Sequence, residues 1–272
     1  MAELSGDLYA HISESMGAKK WISAVAVADL GNSQAALVSP TRFSFKAFQL
    51  GPGQLVNRSG STATVAFGVR YRTSSWAAGT ITAAGVYTDD TTDIQNVTAN
   101  DVTLTNGADS GSGLLISADQ TFNTLDLIVS TAGDPTVPVT ILEFWDGAQW
   151  VNIASSCFVN DALVAASAGE KLILFPEPPE WVKGGSGTNV SQTRYNLRVR
   201  TTVTGAGSAN PLLAQLFIGY CKLIIDGLAT GGQVAIVRDN PLLFPRSGEA
   251  LFPLCSVASR SNYMEVGVQF YA

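Results

Sequence analysis

Histidine is almost missing from this chain: His11 is the only one among 272 residues. A serine or cysteine hydrolase needs a base within hydrogen-bond reach of its nucleophile, and that base is usually histidine. No G-x-S-x-G turn is present to expose a serine. Cysteine is scarce as well. Cys157, Cys221 and Cys255 lie far apart and none belongs to a metal-ligand spacing. Their odd number argues against a disulfide framework, and they are expected to be small buried hydrophobes. The carboxylates Asp126, Glu143 and Asp146 could be offered as a glycosidase pair, but any β protein supplies as many, and Asp146 is better explained by a turn. The expectation is a protein that is not an enzyme and holds no cofactor and no metal.

Charge is also in short supply. Only 14% of residues are charged, against about 25% in an average soluble domain. Either partners cover much of the surface, or the surface is a Thr/Ser/Asn-rich β face. The 16 Lys and Arg residues are scattered and the net charge is −6, so no basic stripe exists for phosphate contacts, and nucleic-acid binding is not expected. No apolar run reaches the roughly 18 residues of a membrane helix, and no membrane association is expected. The first residues place acids early and lysines late, the reverse of a secretion signal, so synthesis in a reducing cytoplasm is expected. Asp89-Asp90-Thr91-Thr92-Asp93 invites a calcium reading, but it lacks the glycine and distal glutamate of an EF-hand, and a solvated turn explains it.

What the chain does have is β pattern. With 46% hydrophobic residues it has enough apolar surface for a folded core. The organising stretch is Phe122 to Ile153. Residues 124–130 alternate, Gly133-Asp134-Pro135 marks a turn, and residues 139–144 alternate again. Trp145-Asp146-Gly147-Ala148 then breaks the run, and Asp-Gly between apolar strands predicts a hairpin whose return starts at Trp150. Residues 42–50, 62–73, 171–175 and 264–271 carry further strand patterns, and Gly51-Pro52-Gly53 reads as a turn. Three prolines in Pro176-Glu177-Pro178-Pro179-Glu180-Trp181 forbid a central strand and predict a rigid edge or crossover anchored by Trp181.

Residues 194–203 alternate most cleanly. Tyr195, Leu197 and Val199 take one face, and Arg194, Asn196, Arg198 and Arg200 the other. Arg194, Arg198 and Arg200 are candidates for binding an acidic partner surface, set against the simpler reading of a solvated face. Trp145, Trp150 and Trp181 are candidate stacking platforms for a sugar, set against core or corner roles. Residues 1–20 are the one stretch with helical spacing: Leu4, Leu8, Ile12 and Met16 recur every four residues. They predict a short helix or an arm reaching a neighbouring subunit.

The expected architecture is all-β: an antiparallel, jelly-roll-like β-sandwich in two modules. The segments are a helix or arm over 1–20, a first β domain over 21–112, a second over 113–225, and C-terminal strands or an arm over 226–272. The Gly/Ser/Asp cluster at 106–113 is the candidate boundary or a long loop.

Residues 113–220 resemble β-sandwich modules of tailed-phage virion proteins. The resemblance rests on Phe122-Asn123-Thr124-Leu125-Asp126-Leu127, on Phe144-Trp145-Asp146-Gly147 with Trp150-Val151, on Phe175-Pro176 with Trp181, and on Arg194-Tyr195-Asn196-Leu197-Arg198-Val199. It implies a structural protein of the virion with no catalytic residues. A capsid decoration or cement protein is the first expectation. It would stabilise the head through contacts with the major capsid protein, lie on the capsid surface, and form a homo-oligomer such as a trimer. A tail, neck or baseplate component and a carbohydrate-binding module are the alternatives. On this expectation Leu4, Leu8, Ile12, Trp181 and the three arginines are the partner-binding residues.

Overall fold

The computed structural model describes residues 9–14, 19–29, 47–56, 61–96, 102–104, 111–133, 140–160, 167–201, 210–236, 250–255 and 261–271. These residues form an all-β protein of antiparallel sheets. In chain order the strands are β1 (Tyr9–Glu14), β2 (Lys19–Asp29), β3 (Ala47–Val56), β4 (Ala63–Arg70), β5 (Trp76–Ile81), β6 (Tyr87–Asp89), β7 (Val102–Thr103), β8 (Gly113–Ala118) and β9 (Thr124–Thr131). They continue with β10 (Thr140–Trp145), β11 (Trp150–Asn152), β12 (Val159–Asn160), β13 (Gly169–Leu174), β14 (Tyr195–Thr201), β15 (Leu212–Leu228), β16 (Gln233–Ile236), β17 (Ala250–Cys255) and β18 (Ser261–Tyr271). One helical turn, α1 (Thr91–Ile94), follows β6.

The chain divides into two compact units, residues 73–219 and residues 1–72 with 220–272. The division therefore falls at Arg72/Thr73 and Gly219/Tyr220, and the candidate boundary at 106–113 lies inside one unit. The first expected module, 21–112, contributes to both units.

The continuous unit, 73–219, holds a six-stranded sheet in the order β11-β10-β14-β8-β5-β6. It also holds β12, β13, β9 and the first half of β15, which pair in that order. Both sheets bury most of their residues: every residue of β8 is buried, and Leu125 and Leu127 of β9 are fully enclosed. An aromatic cluster draws on residues in or next to strands of both. Trp181 packs edge-on against Phe122 at 4.9 Å, Phe144 at 6.3 Å and Tyr195 at 6.0 Å, and tilted against Phe175 at 6.3 Å. The expected anchor is thus in place. The three prolines leave the crossover out of the ladder, and Trp181 turns inward because its large ring gains most from burial.

The expected hairpin joins β10 to β11, with Trp145 opposite Trp150. Oδ1 of Asp146 accepts from the backbone N–H of Ala148 (2.8 Å) and of Gln149 (2.7 Å), and Gly147 takes φ 103°. These bonds lower the Asp146 carboxyl below its ordinary range.

The discontinuous unit contains a sheet in the order β1-β2-β18-β3-β16, so strands from near both ends of the chain lie two apart. β17 pairs with β4. Gly68 of β4 lies against β15, where a Cβ would come within 2.7 Å of the Tyr220 carbonyl.

Two local expectations are corrected here. Residues 9–14 are not helical: they form β1, in register with β2 from Tyr9↔Val25 to Glu14↔Lys20. Gly6, Ser5, Ser13 and Ser15 are poor helix formers, and pairing to a neighbouring strand overrides a single four-residue spacing. Ile12 accordingly sits on β1 opposite Ile22, whereas Leu4 and Leu8 lie outside the described residues. Gly51-Pro52-Gly53 is not a chain reversal but part of β3. The ladder to β18 shifts register there, between Val266 and Val268. A bulge accepts the proline, which has no N–H to give to a regular ladder. No helix among the described residues is long and apolar enough to cross a membrane.

Candidate functional site

β14 carries the candidate arginines. Its register places Arg198 directly opposite Glu143 of β10, with Arg200 one pair further along the same face. The Arg198 Nε donates to Oε2 of Glu143 at 2.5 Å, the Arg200 Nε donates to the same oxygen at 2.7 Å, and the Arg200 Nη2 reaches Oε1 at 3.1 Å. Glu143 is 4% exposed. Burial by itself would raise its carboxyl pKa, but the hydrogen bonds from Arg200 and Arg198 outweigh that and hold it below the ordinary range. Burial likewise lowers the Arg198 pKa, against the pull of Glu143.

The polar face of β14 is therefore no solvated face. Arg198 stacks over Trp150, its guanidinium carbon 4.3 Å from the ring centroid. Trp150 meets Trp145 edge-on at 5.4 Å. Residues 183–194 fold back over this corner and bring in Val190, which packs with Ile81, Leu115, Tyr87 and Trp150. Asn196 pins the loop. It is fully buried, and its Nδ2 donates to the carbonyls of Gly184 (2.8 Å), Ser191 (2.7 Å) and Arg194 (3.1 Å). Its Oδ1 accepts from the Ser117 hydroxyl at 2.5 Å.

Arg194 stands apart from the other two. Its Nε donates to Oδ1 of Asp119 at 2.9 Å, at a partly exposed position. The structure thus joins Arg198 with Arg200 through one carboxylate and leaves Arg194 on a separate ion pair. Trp181 is 5% exposed, and its Nε1 donates to the Asn196 carbonyl at 3.1 Å. Its ring is enclosed and offers no surface to a sugar or a partner. One face of Trp150 is already covered by Arg198. Sequence reasoning passed over Asn196 as one more polar residue of an alternating strand. The signal for Glu143 was a lone acid inside an apolar strand, facing a strand with arginines at alternate positions.

The Asp89–Asp93 stretch is occupied by its own turn. Oδ1 of Asp89 accepts from the Thr91 N–H at 3.0 Å and from the Thr91 hydroxyl, and Oδ2 of Asp90 accepts from the Thr80 N–H at 2.8 Å. The Thr91 hydroxyl bond does most to lower the Asp89 carboxyl. Burial raises the Tyr87 phenol beside it, with the Asp89 charge adding to the effect. No group of three or more metal-ligating side chains occurs among the described residues.

Chemically, the arrangement is a brace. A carboxylate held ionised by two guanidinium groups is a poor proton acceptor, because taking a proton would break both charge-assisted bonds. No protein-family model, curated protein or solved structure matches the chain.

Proposed function

We propose that this chain is a non-enzymatic structural protein of a tailed-phage virion, acting as a capsid decoration or cement protein. In this reading it forms a homo-oligomer, of which a trimer is the simplest case, sits on the capsid surface, and bridges major capsid protein subunits. The two sheets of residues 73–219 are the halves of its jelly-roll-like sandwich.

The observation that carries the reading is the inward use of the chain's chemical groups. Arg194, Arg198, Arg200 and Trp181 each give at least one donor to a partner within the chain, which stiffens a scaffold. Two further facts support it. The chain is poor in charge, as a surface covered by neighbours can be. Strands β1, β2 and β18 place segments from near both ends in one sheet, where β1 is the edge among the described strands and able to pair or pack with a neighbour.

The test is the molar mass of the purified protein by light scattering, followed by co-sedimentation with empty capsids. An oligomer that pellets with capsids supports decoration, and removal of residues 1–14 should then abolish pelleting while the rest stays folded. A monomer or a larger ring that ignores capsids overturns it in favour of a neck, tail or baseplate part, and a glycan screen would then separate the carbohydrate-binding alternative.

A further inference from the structure

The brace around Glu143 is not balanced. Two guanidinium groups meet one carboxylate, and of the Arg198 donors only Nε is engaged in it. The two terminal amines of Arg198 make no hydrogen bond among the described residues, yet they are not sealed from solvent, and 15% of the side chain stays open. Directly beneath lies Trp150, whose indole Nε1 is sealed from solvent and has no acceptor among the described residues. A buried N–H without an acceptor is uncommon, and this one, closed to any incoming solute, reports on the ring rather than binding. Unengaged guanidinium amines and one excess positive charge thus lie over the Trp150 ring at one corner of the six-stranded sheet.

We propose that this corner binds a carboxylate group. A carboxylate presents two coplanar oxygens, which match the paired terminal amines of a guanidinium. Its single negative charge balances the single excess positive charge, whereas a phosphate dianion would overshoot it. The half-covered aromatic floor and Val190 exclude much of the water that would otherwise weaken the contact. The group arrives either on a small free carboxylate or on an acidic side chain of a second copy of this chain, and both sources offer the same oxygens to Arg198. The proposal stands apart from the virion reading and survives its failure.

The experiment uses the full chain labelled with 15N at its tryptophan indoles. Acetate is titrated against sodium chloride of equal ionic strength, with inorganic phosphate as a third series. The Trp150 indole resonance, assigned by its loss in Trp150→Phe, should shift saturably with acetate and stay still with chloride. In Arg198→Gln the affinity should fall roughly tenfold or more, as expected on losing a charge-assisted bond. Arg198→Lys keeps the charge but loses the planar fork, and should also weaken binding. Dispersed indole resonances in both variants show that they are folded. In Trp150→Phe itself, the neighbouring Trp145 resonance reports a weaker response.

Light scattering with and without excess acetate separates the two sources. Self-association that acetate disperses, and that Arg198→Gln lacks, places the carboxylate on a second copy. A saturable shift with unchanged association places it on a small molecule. No shift, an equal shift with chloride, an unchanged titration in Arg198→Gln, or a response to phosphate as strong as to acetate would each overturn the proposal.

Discussion

Glu143 and Arg198 are cross-strand partners, directly opposite in the β10–β14 register and joined by a 2.5 Å hydrogen bond. Arg200 completes the arrangement from one pair along. Removing the carboxylate strands two guanidinium groups in a largely buried place. Glu143→Gln should therefore destabilise the unit by about 3 kcal/mol, as expected for breaking a buried ion pair on one side. Urea denaturation followed by tryptophan fluorescence measures it. A loss below about 1 kcal/mol would mean that the brace contributes no more than a surface pair.

The same pair sets a pH dependence. The folded-state pKa of Glu143 is lowered, so it lies below the unfolded value of about 4.3. Its contribution is fully present above the unfolded value and disappears as pH falls through the folded one. The stability gap between the wild type and Glu143→Gln should hold steady from about pH 8 to about pH 6 and narrow below about pH 4. Denaturation curves across that range test it, and a gap that widens in acid would contradict the sign.

Trp181 fills the space between Phe122, Phe144, Phe175 and Tyr195. Trp181→Ala should cost about 4 kcal/mol through the cavity it leaves. Trp181→Phe keeps most of the packing but loses the bond to the Asn196 carbonyl, and should cost only about 1–2 kcal/mol. Equal losses in the two variants would show that the indole N–H, not the ring volume, holds the crossover.

Asn196→Ala removes the one amide whose two N–H groups serve the carbonyls of Gly184, Ser191 and Arg194. A cost of about 2 kcal/mol or more is expected, because the Gly184 and Ser191 carbonyls lose that donor, while the Arg194 carbonyl keeps the Gly184 N–H. Hydrogen exchange localises the effect. The Thr188 amide, which donates to the Gly85 carbonyl, should exchange faster, while the amides of β9 and β13 keep their protection.

At Gly147, φ 103° disfavours any side chain, and an added Cβ would also sit 3.2 Å from a Val182 methyl. Gly147→Val should destabilise by about 1–2 kcal/mol. An unchanged thermal midpoint would show that the hairpin tip relaxes at no cost.

The features legible in the sequence were those that depend on neighbours along the chain. The Asp146-Gly147 tip is one, since both the turn and its capping carboxylate lie within four residues. The extended crossover through Pro176, Pro178 and Pro179 is another, because proline removes its donor whatever lies opposite. Strand identity for β9, β10 and β14 followed from period-two alternation, and for β13 from a short apolar run. The helical spacing of Leu4, Leu8, Ile12 and Met16 misled over Tyr9–Glu14, because a four-residue spacing in a serine- and glycine-rich stretch is weak beside the pairing that β2 supplies. Gly51-Pro52-Gly53 misled likewise, since a turn and a bulge use the same residues and differ only in what lies across from them.

By itself, then, the sequence determined that this is an all-β chain and where several of its strands and its tight hairpin lie, for these follow from local sterics and alternation. Only the tertiary structure decided what the polar face of β14 is for. Alternation puts Arg198, Arg200 and Asn196 on one side but says nothing about what covers that side. The cover comes from Glu143, more than fifty residues earlier in the chain, from Trp150, and from a loop whose carbonyls point at Asn196. Burial and counter-charge are properties of that meeting, and they turn a row of arginines from a solvated face into an internal brace.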